Sequence, residues 1–85
     1  MKTKTKLKIG KLCTCPYELT AWELSDNGKY KIIPSNDMFM IINIIELTGV
    51  ERGLYDIYLL THEGELRFTT VDNVYLGLIQ SATHD

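Results

Sequence analysis

The ten residues Met38-Phe39-Met40-Ile41-Ile42-Asn43-Ile44-Ile45-Glu46-Leu47 constrain this chain more than any other stretch. They are its most apolar segment and lie in its middle, so in an 85-residue protein they must form the spine of the core. Ser35-Asn36-Asp37 ahead of the run could cap a helix, and Thr48-Gly49 behind it could end one. Against a helix, four of the ten residues are isoleucine, whose branched Cβ suits a pleated strand better than a helical turn. At helical spacing the apolar residues would also surround the axis, leaving no polar face. The run therefore reads as a strand, buried on both sides or bent so as to serve two halves of a sheet. Asn43 is its lone polar interior residue, and must face water, mark the bend or find a partner in the core.

The flanking segments carry strand and turn signals of the same kind. Gly10 to Cys15 reads as a short first strand ended by Pro16. Asn27-Gly28, between Trp22-Glu23-Leu24 and Tyr30-Lys31-Ile32-Ile33, is the strongest hairpin signal, because both residues accept positive φ. Pro34-Ser35-Asn36-Asp37 reads as a turn, and Thr48 to Gly53 as a loop. Leu54 to Thr61 and Leu66 to Thr69 read as two strands joined by a tight turn at His62-Glu63-Gly64-Glu65. Thr70 to Val74 reads as a single helical turn or a tight connector, and Tyr75 to Ile79 as a last short strand. These elements predict an all-β protein, a small barrel of five to six antiparallel strands with one 3₁₀ turn. Its expected organisation is a flexible basic arm over 1–9, a single domain over 10–80 and a polar tail over 81–85.

Charge divides the chain unevenly. Lys2, Lys4, Lys6, Lys8 and Lys11 precede position 12, whereas from there on four basic residues face eleven acidic ones, a balance of −7. A basic arm on an acidic body argues against the body as a phosphate-binding surface. The alternation of lysine and threonine at the start is not a signal peptide, and no stretch is long and apolar enough to span a bilayer as a helix. Cys13 and Cys15, two apart and without other cysteines, cannot build a disulfide framework. These features predict a cytoplasmic protein without membrane association.

Residues that could do chemistry are few. Cys13, Cys15, His62 and His84 lack the spacing of a zinc site, and the cysteines read instead as small buried hydrophobes. Glu63 and Glu65 flank a turn and should be solvated, and the glycines form no phosphate-binding loop. The expectation is a protein that is not an enzyme, with no catalytic residue, no metal and no cofactor.

The order of parts resembles the SH3-like small barrel, in particular bacterial SH3-type domains, over residues 10–79. Gly10-Lys11-Leu12 looks like the opening strand, and residues 16–33 like the long first loop with its own hairpin. Asn36-Asp37 before the apolar run, the hairpin from Tyr55 to Thr69, and the 3₁₀ turn at Val71 to Val74 look like the remaining parts. The chain has Arg67-Phe68 where bacterial SH3-type domains carry Gly-Trp, and it lacks an Ala-Leu-Tyr-Asp-Tyr motif. Its compact style is also similar to that of small phage-encoded proteins.

In such barrels the first and second loops frame a surface where aromatic side chains receive a partner. The resemblance thus implies an interaction module that binds a protein through Tyr17, Trp22, Tyr30, Tyr55 and Tyr75, or by addition of an edge strand. The competing expectation for these rings is that they pack the core. A homodimer is a further expectation, since so apolar a short chain can leave a patch exposed. The alternative function is a nucleic-acid-associated barrel of the KOW or Tudor-like kind, with Lys2, Lys4, Lys6, Lys8 and Lys11 on the backbone phosphates.

Overall fold

The computed structural model describes residues 9–26 and 28–82. Its seven strands are β1 (Leu12–Thr14), β2 (Leu19–Glu23), β3 (Tyr30–Ile33), β4 (Phe39–Glu46), β5 (Leu54–Leu60), β6 (Leu66–Asp72) and β7 (Gln80–Ser81). A 3₁₀ turn, Gly49–Glu51, and one short helix, α1 (Asn73–Leu78), complete the described elements. All pairings are antiparallel, in the order β3-β2-β6-β5-β4-β1-β7. The protein is all-β, and its sheet curls into a half-barrel with β3 and β7 at the edges. The basic arm at Lys2, Lys4, Lys6 and Lys8, Asn27, and the end of the tail with His84 lie outside the described residues.

The apolar spine is β4, and it bends. Its first half lies between β1 and β5, with Leu12 opposite Met40 and Met40 opposite Leu60. The register then shifts between Ile41 and Asn43, leaving Ile42 as the extra residue of a bulge. Asn43 marks that bend from the exposed side, where its Oδ1 accepts the Ile44 N–H at 2.9 Å. The spine is not buried on both sides: Phe39 and Ile41 point into the core, whereas Ile42 and Ile45 are exposed.

Alternation along the strands builds the core from one face. Leu19 and Ala21 of β2, Tyr55, Ile57 and Leu59 of β5, and Thr69 and Val71 of β6 all turn inward and are buried. Cys13 and Cys15 join them as buried cysteines outside any disulfide, as their reading as small hydrophobes requires.

Local chemistry fixes the turns. The β2–β3 hairpin closes through the Lys29 N–H on Asp26 O, while the Asp26 carboxylate takes the Gly28 N–H at 3.1 Å. In the turn Pro34–Asp37 the Asp37 N–H returns to Pro34 O, and Asn36 adopts φ 68°, a left-handed conformation that asparagine tolerates. At the β5–β6 turn Gly64 has φ 84°, and its N–H bonds Thr61 O.

The chain departs from the sequence expectation after Thr69. Strand β6 runs on to Asp72, and Tyr75 to Ile79, expected as a strand, falls in α1 and its C-cap. The reason is Asp72, whose carboxylate accepts the Tyr75 N–H at 2.7 Å as an N-cap. With the helix started, Leu76 and Ile79 fall three apart on one face and enter the core. The closing strand is displaced to Gln80–Ser81, where Ser81 pairs with Cys13 and the Ala82 N–H reaches Leu12 O. The 3₁₀ turn lies at Gly49–Glu51, after the spine, and not at Val71 to Val74.

Candidate functional site

Residues opposite one another on neighbouring strands share a face, so the register gives the outer surface of the sheet directly. One row crosses five strands: Tyr30 of β3 faces Trp22 of β2, Trp22 faces Phe68 of β6, Phe68 faces Tyr58 of β5, and Tyr58 faces Asn43 of β4. The four rings form two packed pairs. The centroids of Trp22 and Tyr30 lie 5.1 Å apart with planes tilted 54°, and those of Tyr58 and Phe68 lie 5.9 Å apart at 30°. Tyr30 is 58% exposed, and Trp22, Tyr58 and Phe68 are half-buried.

A second outer row, Leu66, Leu60, Met40 and Leu12, crosses β6, β5, β4 and β1 beside the first. Leu66 and Leu12 are exposed, Leu60 and Met40 half-buried. On the other side of the aromatic row stand Ile32, Ile45 and Asp56, with Asp56 Oδ1 accepting the Thr70 hydroxyl at 2.6 Å. The charged side chains that alternation places on this face of the described strands are Asp56 and Asp72, both acidic. Asp72 is already engaged as the helix cap.

The five tyrosine and tryptophan positions singled out in the sequence therefore divide. Trp22 and Tyr30 form half of the outer aromatic row. Tyr17 and Tyr75 form a separate edge-to-face pair at 6.2 Å, and the Tyr75 hydroxyl donates to Glu18 O at 2.5 Å. Burial, then the nearby Cys15, Glu18 and Tyr17, push the Tyr75 phenol above its ordinary pKa. A hollow of about 220 Å³ connects the two groups, because β2 meets β6 only at Trp22 and Glu23; Trp22 stands on one side of it and Tyr75 on the other. Tyr55 does not belong to this surface. It is 3% exposed, since position 55 has the inward phase of β5.

Phe68 and Tyr58 were missed as members of the site. Their period-two spacing with Leu66 and Leu60 was visible in the sequence, but which phase pointed outward was not.

The polar end of the fold is a clasp. Lys31 of β3 bonds Glu63 and Glu65 of the β5–β6 turn, at 3.1 Å for Glu65, and Arg67 Nε bonds Glu65 at 3.3 Å. Arg67, 8% exposed, also donates to Ala21 O. The two carboxylates raise the Lys31 pKa, Glu63 most, and Lys31 followed by Arg67 lowers that of Glu65. Glu63 and Glu65 are thus partners in structural ion pairs. Beside them a hollow of about 230 Å³ is floored by Ile32, Ile33, Pro34 and Met38, with His62 on its rim.

Of the lysines proposed for nucleic acid, Lys11 is the one described. It is half-buried, and its carbonyl accepts the Ile41 N–H. Among the described residues no three His, Cys, Asp or Glu side chains gather as a metal site, and no helix is long and apolar enough to cross a membrane. Compared with protein-family models, curated proteins and solved structures, the chain matches none.

Proposed function

We propose that this chain is a non-enzymatic interaction module of the SH3-like small-barrel type, which binds a protein partner through the outer face of its sheet. The observation that carries the reading is the aromatic row Tyr30–Trp22–Phe68–Tyr58, flanked by exposed aliphatic side chains and poor in charge. Aromatic rings on a rigid sheet give large contact area at small conformational cost, the composition of interface hot spots. Exposed apolar side chains gathered on one face of a small domain support a contact role for it.

The order of parts supports the SH3-like reading. An opening strand, a first-loop hairpin, a bent long strand, a central hairpin, a helical turn and a closing strand follow one another along the chain. The helical segment is α rather than 3₁₀, and Arg67-Phe68 places a buried arginine and an outward phenylalanine at the tip of the central hairpin. Binding by edge addition is the weaker mode, since β3 offers four residues and β7 two. A polyanion is disfavoured on this face, whose own charges are acidic. Two buried cysteines that form no disulfide suit a cytoplasmic home.

Affinity capture from the native host, with wild-type bait and with bait carrying Trp22→Ala and Phe68→Ala, tests the proposal. Proteins retained by the wild type and lost by the double variant are the expected result. Identical captured sets with a folded variant bait overturn it.

A further inference from the structure

Beside the aromatic row lies the hollow of about 220 Å³ between β2 and β6, and we infer that it receives the phenol ring of a tyrosine presented by the protein partner. This inference rests on the reading of the sheet as an interaction surface, and it names what that surface takes from the partner.

The hollow exists because two strands stop pairing while both continue. Trp22 stands opposite Phe68 and Glu23 opposite Arg67, but among the described residues Leu19, Thr20 and Ala21 have no partner on β6. Side chains take the place of the missing ladder: Arg67 donates to Ala21 O, and the Tyr75 hydroxyl donates to Glu18 O. The lining is buried at its floor, where Leu19, Val71 and Thr69 are each 6% exposed or less. That floor is apolar except at Thr69. Among the described residues the Thr69 hydroxyl bonds no protein atom, although every fully sealed side-chain oxygen and nitrogen has a partner. The hydroxyl therefore keeps an opening, and the hollow that Thr69 lines is that opening. A buried hydroxyl left able to donate and to accept is an unused recognition group.

Size, charge and the state of the backbone select the occupant. About 220 Å³ is the liquid volume of about seven waters, below the ~300 Å³ at which pockets for drug-sized ligands begin, so it suits a single side chain. An added strand fits poorly, because Ala21 O and Glu18 O, acceptors it would use, are already bonded. An anion such as phosphotyrosine is disfavoured, because the charged residue of the lining is Glu18. A ring is favoured by Trp22 and Tyr75, half-buried on opposite sides, which offer it aromatic contacts. Thr69 then asks for a hydrogen-bonding group at the ring's leading end. Tyrosine carries its hydroxyl there, whereas tryptophan has its N–H on the flank of a wider ring and phenylalanine has none. Because Trp22 belongs both to the hollow and to the aromatic row, a partner seated on the row stands where it can insert that ring.

Amide NMR titration of the purified full chain with N-acetyltyrosinamide, set against N-acetylphenylalaninamide, tests the inference. The expected result is saturable shifts confined to residues 19–22, residues 69–71 and Tyr75, with a dissociation constant on the order of 1 mM. The phenylalanine probe should bind about fivefold more weakly, an order that a merely apolar crevice would reverse. Thr69→Val, which keeps the shape and removes the hydroxyl, should erase that preference. Should Thr69→Val fail to fold, the wild-type comparison of the two probes decides by itself. Shifts absent at about 10 mM, shifts centred on Tyr58 and Leu60 instead, or a tyrosine preference that survives Thr69→Val overturn the inference. In capture from the native host, the tyrosine probe at about 10 mM should release the proteins that the Trp22→Ala, Phe68→Ala bait loses, and the phenylalanine probe should not. If neither probe releases them while the double variant still loses them, the tyrosine is refuted and the interaction module stands.

Discussion

Two tyrosines that look equivalent in the sequence should respond very differently to the same truncation. Tyr55 is 3% exposed and packs in the core, so Tyr55→Ala leaves a cavity the size of a ring and should cost about 3–5 kcal/mol. Tyr30, on an edge strand and 58% exposed, packs against Trp22 alone among the described rings; Tyr30→Ala should cost about 1 kcal/mol or less. A chain of 85 residues has some 4–13 kcal/mol of stability in all, so the first loss is a large share of it and the second is small. Urea unfolding followed by circular dichroism separates them. The Tyr55→Ala midpoint should fall by about 2 M or more and the Tyr30→Ala midpoint by less than about 1 M. The comparison tests strand phase, because a slip of one residue would exchange the two faces of β5. Equal losses, or the larger loss at Tyr30, would refute the assignment of inner and outer faces.

Three further outcomes follow from the turns, the cap and the clasp. Asn36 holds φ 68°, so Asn36→Gly should be neutral within a few tenths of a kcal/mol and Asn36→Val should cost about 1–2 kcal/mol in urea unfolding. Removing the helix cap with Asp72→Ala should cost about 1 kcal/mol by the same assay, since the Tyr75 N–H loses its acceptor. Glu65 has its pKa lowered in the fold by Lys31 and Arg67, so its contribution is present above the ordinary glutamate pKa and is lost as pH falls through the lowered value. Thermal midpoints measured from neutral to acid pH should therefore drop less steeply in Glu65→Gln than in the wild type, and the difference should shrink in high salt.

The fold was legible where local chemistry and long-range packing agree. The isoleucines of the spine, the turn at Pro34–Asp37 and the glycine at 64 each announce the conformation they adopt. Asn43 marks the bend because a polar side chain there leaves the core and bonds the next backbone N–H. The segment after Thr69 was not legible in the same way. Tyr75 and Ile79 have strand propensities, but a single carboxylate at Asp72 starts a helix whose spacing then fits the core. Half of the candidate site was visible, as Trp22 and Tyr30. Phe68 and Tyr58 were not, because the phase of β5 and β6 is set by which side the β2–β3 hairpin and α1 close over, a tertiary choice.

The proposed role of the outer aromatic row is that of a surface of contact. The direct measurement is photo-crosslinking in the native host with Phe68→p-benzoylphenylalanine, set against Val50→p-benzoylphenylalanine as an exposed position off the face. The probe at 68 should join the chain to another polypeptide in high yield, and the probe at 50 should do so little. Equal yields at the two positions, or none at 68 from a folded chain, would contradict it.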